Sequence, residues 1–228
     1  MKQINTYIVE KLSISNKTNK PKYTLFPKNK NELLEMIEQE IKQNGNNCSL
    51  NHIDTSQIED MSRLFKQSRF NGDISDWDVS NVKEMSHLFQ DADFNGDISQ
   101  WDVSNVINMS GMFAYAEFNN DVIFDWDVSS VTDMHGMFYH SKFNGDISQW
   151  NVSNVTDMDF MFKKSEFNSD ISAWDVSKVD TMIEMFQYSK FNKDISRWNI
   201  KKYCQTLDIF IRCNIEDEYR PYRNGRRL

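Results

Sequence analysis

The stretch that decides the fold is FNGDISDWDVSNVKEMSHLF, at residues 70–89. Close copies of it follow along the chain at intervals of 24 or 25 residues. All six tryptophans of the chain mark this period: Trp77, Trp101, Trp126, Trp150, Trp174 and Trp198. A unit this short cannot bury its own apolar face, so the copies are expected to stack and share one continuous core.

Each unit combines two hydrophobic periodicities. The Trp-Asp-Val-Ser segment at 77–80 alternates apolar and polar residues, which is typical of a short strand. Val82, Met85 and Leu88 then follow at three-residue steps, as on one face of a helical turn. We therefore predict an α/β repeat, with a parallel β-sheet on one face of the stack and short helices on the other.

The unit also carries a repeated Asn-x-Asp pair, which looks like a ligand set. The pair recurs in every copy regardless of its neighbours, as Asn71 with Asp73 and Asn95 with Asp97. We interpret it as structural: the asparagines form a stacked ladder to backbone groups, and the aspartates cap local N–H groups.

The repeat resembles the BspA-like leucine-rich repeats of bacterial surface proteins, in the Met-Phe and Trp-Asp-Val-Ser subtype common in lipoproteins of wall-less bacteria. The resemblance covers residues 51–213, as six full units with degenerate ends. It implies a leucine-rich-repeat solenoid that binds other proteins and carries no catalytic site. Secreted members carry export signals, whereas the first residues here, MKQINTYIVEKLSIS, have no secretory pattern, so we expect a cytoplasmic protein.

The segments on either side of the repeats have separate roles. Residues 1–50 are predicted to be a leader and a helical cap, because 31–43 place Leu33 and Ile37 at helical spacing and would cover the N-terminal end of the solenoid. The leader is also similar to leaders of tailed-phage proteins from phages that infect gut bacteria. Residues 214–228 form a basic tail with four arginines, read either as a solvated tail or as a docking peptide for an acidic partner or a phosphate backbone.

Composition excludes several classes of function. The net charge of -8 disfavours nucleic acid as the main ligand, and no apolar run approaches the length of a membrane span. The three cysteines have no metal-ligand spacing, and the four histidines occupy different repeat positions. We therefore expect no enzyme, no cofactor and no metal site.

The exposed strand face is the predicted binding face. It holds the residues before and after each tryptophan, and it is acidic in its first half and basic at its end. An acidic stripe suits a basic protein partner, or alternatively it only prevents sheet-to-sheet aggregation. The predicted partner-binding residues are Asp76, Asp78, Asp102, Phe124, Asp125, Asp127, Asp175 and Arg197.

Phe124 is singled out because its unit has one extra residue. An insertion beside a strand suggests a bulge, and Phe124 stands where the other units carry serine. The ring is either an exposed aromatic anchor for a partner or folded back onto a neighbouring unit.

The sequence thus favours a non-enzymatic protein–protein interaction scaffold that binds through its sheet face. One alternative is a structural or decoration protein of a phage particle, docked through its N-terminal segment or arginine-rich tail, which would place it in the virion. A second alternative is a bacterial surface adhesin.

Overall fold

The computed structural model describes residues 22–228, so the leader and its resemblance to phage proteins lie outside the described residues. The described part contains one α-helix, α1 (Lys30–Asn44), and two 3₁₀ turns, Asp121–Ile123 and Asp217–Tyr219. Strands β1 (Tyr222–Arg223) and β2 (Arg226–Arg227) form an antiparallel pair. No helix in residues 22–228 is both long and apolar enough to cross a membrane.

Helix α1 confirms the helix predicted over 31–43. Asn29 caps its start by accepting the Glu32 N–H at 3.1 Å. Gly45, with φ 83°, ends it and donates its N–H to the Ile41 carbonyl. Leu33 and Ile37 are fully buried, so α1 packs on the apolar core.

The repeats lie on one another in register, and we call each repeat a coil. The rings of Trp77 and Trp101 are 6.4 Å apart and almost parallel, and those of Phe65 and Phe89 are 5.6 Å apart. Single parallel bridges link coils at the same period: Asp60–Glu84, Glu84–Asn108, Asn108–Asp133, Asp133–Asp157, Asp157–Thr181 and Thr181–Gln205. The buried aromatic, Met, Val and Ile side chains form one continuous cluster.

The Met-Phe part of each coil is not the predicted short helix. In residues 85–91, alternate residues donate their N–H groups to carbonyls of the next coil, as Met85 does to Asn108 and His87 to Ser110, at 2.9 and 2.8 Å. Four such bonds cross every interface, and all run from N–H groups of one coil to carbonyls of the next. We call these stretches ribbon segments: residues 61–67, 85–91, 109–115, 134–140, 158–164, 182–188 and 206–212.

Left-handed residues explain why the ribbon segments are not helices. Two residues in each segment have φ between 51° and 63°, which a right-handed helix cannot contain. The first of the two are Arg63, His87, Gly111, Gly136, Phe160, Glu184 and Asp208. The second are Gln67, Asp91, Tyr115, His140, Lys164, Tyr188 and Arg212. Most are not glycine, so the stacking of coils holds the backbone in a conformation that costs energy locally.

The Trp-Asp-Val-Ser segments are not strands either. The N–H groups of Trp77 and Val82 bond to carbonyls three residues earlier, so the chain turns here. The reason is local: the Asp78 side chain accepts the Ser80 N–H at 3.1 Å, which draws the backbone out of a ladder. Six of the eight isolated bridges in residues 22–228 fall instead on the column that contains Glu84 and Asn108.

Two irregular coils also depart from expectation. The extra residue of the third unit forms the 3₁₀ turn Asp121–Ile123 rather than a strand bulge. In the last coil, Cys204 takes the buried valine position, being 2% exposed, whereas Tyr203, which the repeat spacing places there, is 81% exposed.

Candidate interaction surfaces

Four aspartates form an exposed acidic column at the position after tryptophan: Asp78, Asp102, Asp127 and Asp175. Each carboxylate accepts the N–H of the serine two residues later, at 3.0 to 3.1 Å. Asn151 stands in the same column and accepts the Ser153 N–H at 3.2 Å. The turns therefore hold the side chains in fixed positions, one per coil.

Hydrogen bonds from serine favour the ionised form of two carboxylates in the column, Asp127 and Asp175. The pKa of Asp127 is below its usual range because Ser129 donates from its side chain and its backbone N–H to the carboxylate. The pKa of Asp175 is lowered in the same way by Ser177. Carboxylates held at neighbouring coils repel one another, which favours a cationic partner.

The other four predicted binding residues differ in exposure and in their neighbours. Asp76 and Asp125 are exposed and directly precede tryptophans. Phe124 is half-buried, so it is not a fully exposed anchor. Arg197 is exposed but lines a polar groove of about 750 Å³ with Asp170 and Asp194, on the Asp-Ile-Ser edge of the coils.

The Asn-x-Asp pairs have the structural role that the sequence predicts. The Asn71 side chain accepts the N–H of Asn95 at 2.9 Å, and the same bond recurs at later coils. Asp73 accepts the Ser75 N–H at 3.0 Å, and four of its five counterparts bond to serine in the same way, the exception being Asp121 in the irregular third unit. This interpretation is confirmed.

A second groove, of about 380 Å³, lies on the ribbon segments, and sequence reasoning missed it. Its lining includes three small residues, Gly111, Ala114 and Gly136, between the larger His87 and Phe160. The signal was present in the sequence, since the equivalent positions of other coils carry larger side chains. It could be interpreted only once the structure showed that these positions, from two neighbouring coils, line one groove.

A histidine and two aspartates also meet on the ribbon side. One ligand atom each from His135, Asp157 and Asp159 lies within 4.8 Å of the others. Burial raises the pKa of Asp157, and the neighbouring Asp159 carboxylate adds to this. Asp159 already accepts the N–H of Ile183 at 2.6 Å and the hydroxyl of Thr181, so the chain itself binds this oxygen.

The family model described as "Mycoplasma protein of unknown function, DUF285" matches residues 31–141 and 116–218. The two overlapping matches extend from helix α1 through the last ribbon segment. No curated protein and no solved structure matches the chain.

Proposed function

The chain belongs to the DUF285 family of repeat proteins, and on that premise we propose that it is a non-catalytic interaction scaffold. We further propose that its stacked coils are a solenoid of the leucine-rich-repeat type, similar to the BspA-like proteins. In this proposal the scaffold binds a basic protein through the acidic column.

The observation that carries the proposal is the fixed geometry of that column. Asp78, Asp102 and Asp127 project from consecutive coils, and each is oriented by its own serine turn. An exposed row of carboxylates steers a cationic partner towards the surface and sets its register.

Rigidity supports the same function. Four backbone hydrogen bonds at each ribbon interface, together with the asparagine ladder, tie every coil to the next. A surface built in this way is organised before the partner arrives, so little conformational entropy is lost on binding.

The test removes the charges and leaves the turns intact. Asn151 shows that asparagine accepts the same serine N–H, so the triple variant D78N/D102N/D127N should fold. We expect partners that wild-type protein captures at low salt, identified by mass spectrometry, to be lost with this variant.

The matched control is D97N/D146N/D170N, which removes three carboxylates that cap equivalent turns on the Asp-Ile-Ser edge. The control should retain the partners. If both variants capture the partners equally well, or both lose them, the partners do not bind through the acidic column.

A further inference from the structure

The last ribbon segment, residues 206–212, has a row of backbone N–H groups along the edge that faces away from the preceding coil. In the segment before it, residues 182–188, four N–H groups bond to the carbonyls of Gln205, Leu207, Ile209 and Ile211 at 2.7 to 3.0 Å. The corresponding N–H groups of the last segment meet no acceptor within residues 22–228; they belong to Thr206, Asp208, Phe210 and Arg212. Aligned N–H groups in a backbone that includes left-handed residues attract anions.

The opposite end of the stack has a cover that suits its chemistry. The carbonyl groups of Asp60, Ser62 and Leu64 correspond to acceptors in the later coils but receive no backbone N–H within residues 22–228. Helix α1 packs at this end with Leu33 and Ile37 buried. Lys30 of α1 bonds to Asp60 at 3.2 Å and to the hydroxyl of Ser62. The acceptor end is therefore covered by a helix that brings a cation.

The donor end is covered only in part. The Arg220 guanidinium lies 5.6 Å from the centre of the Phe210 ring. Arg220 and Leu228 then line a groove of about 270 Å³, together with Thr206, Asp208 and Phe210. The buried Nε of Arg220 has no hydrogen-bond partner among the described residues.

Two exposed apolar side chains belong to this end of the stack: Ile211, which lines the groove, and Leu207 of the same ribbon segment. Leu207 is 66% exposed and Ile211 is 46% exposed, whereas the equivalent positions of the first coil are Ser62 and Lys66. An exposed apolar pair next to unsatisfied donors indicates a surface that a partner covers.

Charge identifies the kind of partner. Residues 219–228 contain four arginines and no aspartate or glutamate, although the whole chain has a net charge of -8. One of the four, Arg220, is paired with Asp217 at 3.0 Å. We infer that this end of the stack, residues 203–228, docks an extended acidic peptide, whose carbonyl and carboxylate oxygens accept from the N–H row while its apolar side chains cover Leu207 and Ile211. This surface is separate from the acidic column, and the inference does not depend on the proposed function.

The experiment uses three labelled peptides and the full chain. The acidic probe is Glu-Leu-Glu-Ser-Glu-Leu-Glu-Ser, and its matched partners replace every Glu by Gln or by Lys. In fluorescence anisotropy at low salt, we expect the acidic probe to bind at least tenfold more tightly than either, with affinity falling as salt rises.

Variants at the end of the stack locate the site. L207S/I211S and R220Q should each weaken binding of the acidic probe at least fivefold. The control variants I107S, at an apolar side chain with similar exposure in the middle of the stack, and R197Q should bind normally. The acidic-column variant D78N/D102N/D127N should also bind normally, which separates this result from the proposed function.

Two results would overturn the inference. The first is binding of the acidic probe that L207S/I211S leaves unchanged while circular dichroism shows a folded chain. The second is self-association in sedimentation velocity that L207S/I211S abolishes, which would assign the surface to a second copy of the chain instead.

Discussion

The tryptophan side and the ribbon side of each coil hold the stack together by different chemistry. On the tryptophan side, side chains bond to the next coil: Asn71 accepts from Asn95, and the Trp101 indole donates to the Ile74 carbonyl at 3.1 Å. On the ribbon side, backbone N–H groups donate to backbone carbonyls of the next coil at every interface.

The difference explains where the repeat tolerates variation. A backbone ladder makes no demand on outward side chains, so one ribbon column runs through Arg63, His87, Gly111, Phe160 and Asp208. The tryptophan side requires particular donors and acceptors, and its Trp and Asn recur in all six units. The ribbon side can thus vary its residues from coil to coil, whereas the tryptophan side keeps the same donors and acceptors.

The largest expected effect of a single substitution is at the tryptophan side. Trp126 is buried, stacks on Trp101 at 6.5 Å and donates to the Ile98 carbonyl at 3.2 Å. Trp126→Ala should lower the free energy of unfolding in urea by about 3–5 kcal/mol, because it opens a cavity and leaves that carbonyl without its donor.

The comparison for this variant is Tyr115→Ala on the ribbon side. Tyr115 is 44% exposed, so its loss should cost less than about 1 kcal/mol. Similar losses for the two variants would contradict the division between the sides.

Substitutions at the two ribbon glycines, Gly111 and Gly136, distinguish the stability cost of backbone strain from the cost of steric overlap. Both have left-handed φ, at 61° for Gly111 and 57° for Gly136. A Cβ at Gly136 would meet only the Tyr139 Cβ at 3.7 Å, so Gly136→Ala should cost about 1–2 kcal/mol from the backbone alone. A Cβ at Gly111 would lie 2.3 Å from the His87 ring, adding about 1–3 kcal/mol.

Adding His87→Ala to Gly111→Ala measures the overlap directly. In a double-mutant cycle by urea unfolding, the pair should lose less stability than the sum of the single variants. Additive losses would show that the His87 ring moves aside without cost.

The asparagine ladder gives a smaller expected effect. The Asn144 side chain accepts the Asn168 N–H at 2.6 Å, and Asn144→Ala leaves that donor to solvent at a cost of about 1 kcal/mol. Thermal unfolding of Asn144→Asp, which keeps an acceptor, is the control. If Asn144→Asp loses as much stability as Asn144→Ala, the added charge, and not the loss of the hydrogen bond to the Asn168 N–H, would account for the effect in the aspartate variant.

The smallest expected effect is the pH dependence of stability at two aspartates, Asp127 on the tryptophan side and Asp157 on the ribbon side, where the effect has opposite signs. The folded pKa of Asp127 is lowered, so its contribution to stability is present above the unfolded value of about 3.9 and is lost as the pH falls through the folded value. Burial raises the folded pKa of Asp157, so ionising it opposes folding at neutral pH. Asp157→Asn should therefore stabilise at pH 7 and become neutral in acid, whereas Asp127→Asn should destabilise slightly at pH 7.

Thermal unfolding of both variants between pH 3 and pH 7 checks these signs. Destabilisation by Asp157→Asn at pH 7 would show that its ionised form serves the fold.

By itself the sequence determined the period, the residues that alternate between core and surface, helix α1 and the roles of Asn71 and Asp73. These follow from composition and local chemistry, because burial and side-chain caps are set by residue type and near neighbours. Only the tertiary structure decided the ribbon conformation. Steps of three and one between Met85, Leu88 and Phe89 fit a helix equally well, and bonds to the next coil select the alternative. The grooves and the His135 cluster were hidden for the same reason, since they join residues that are one coil apart in the chain and adjacent only in space.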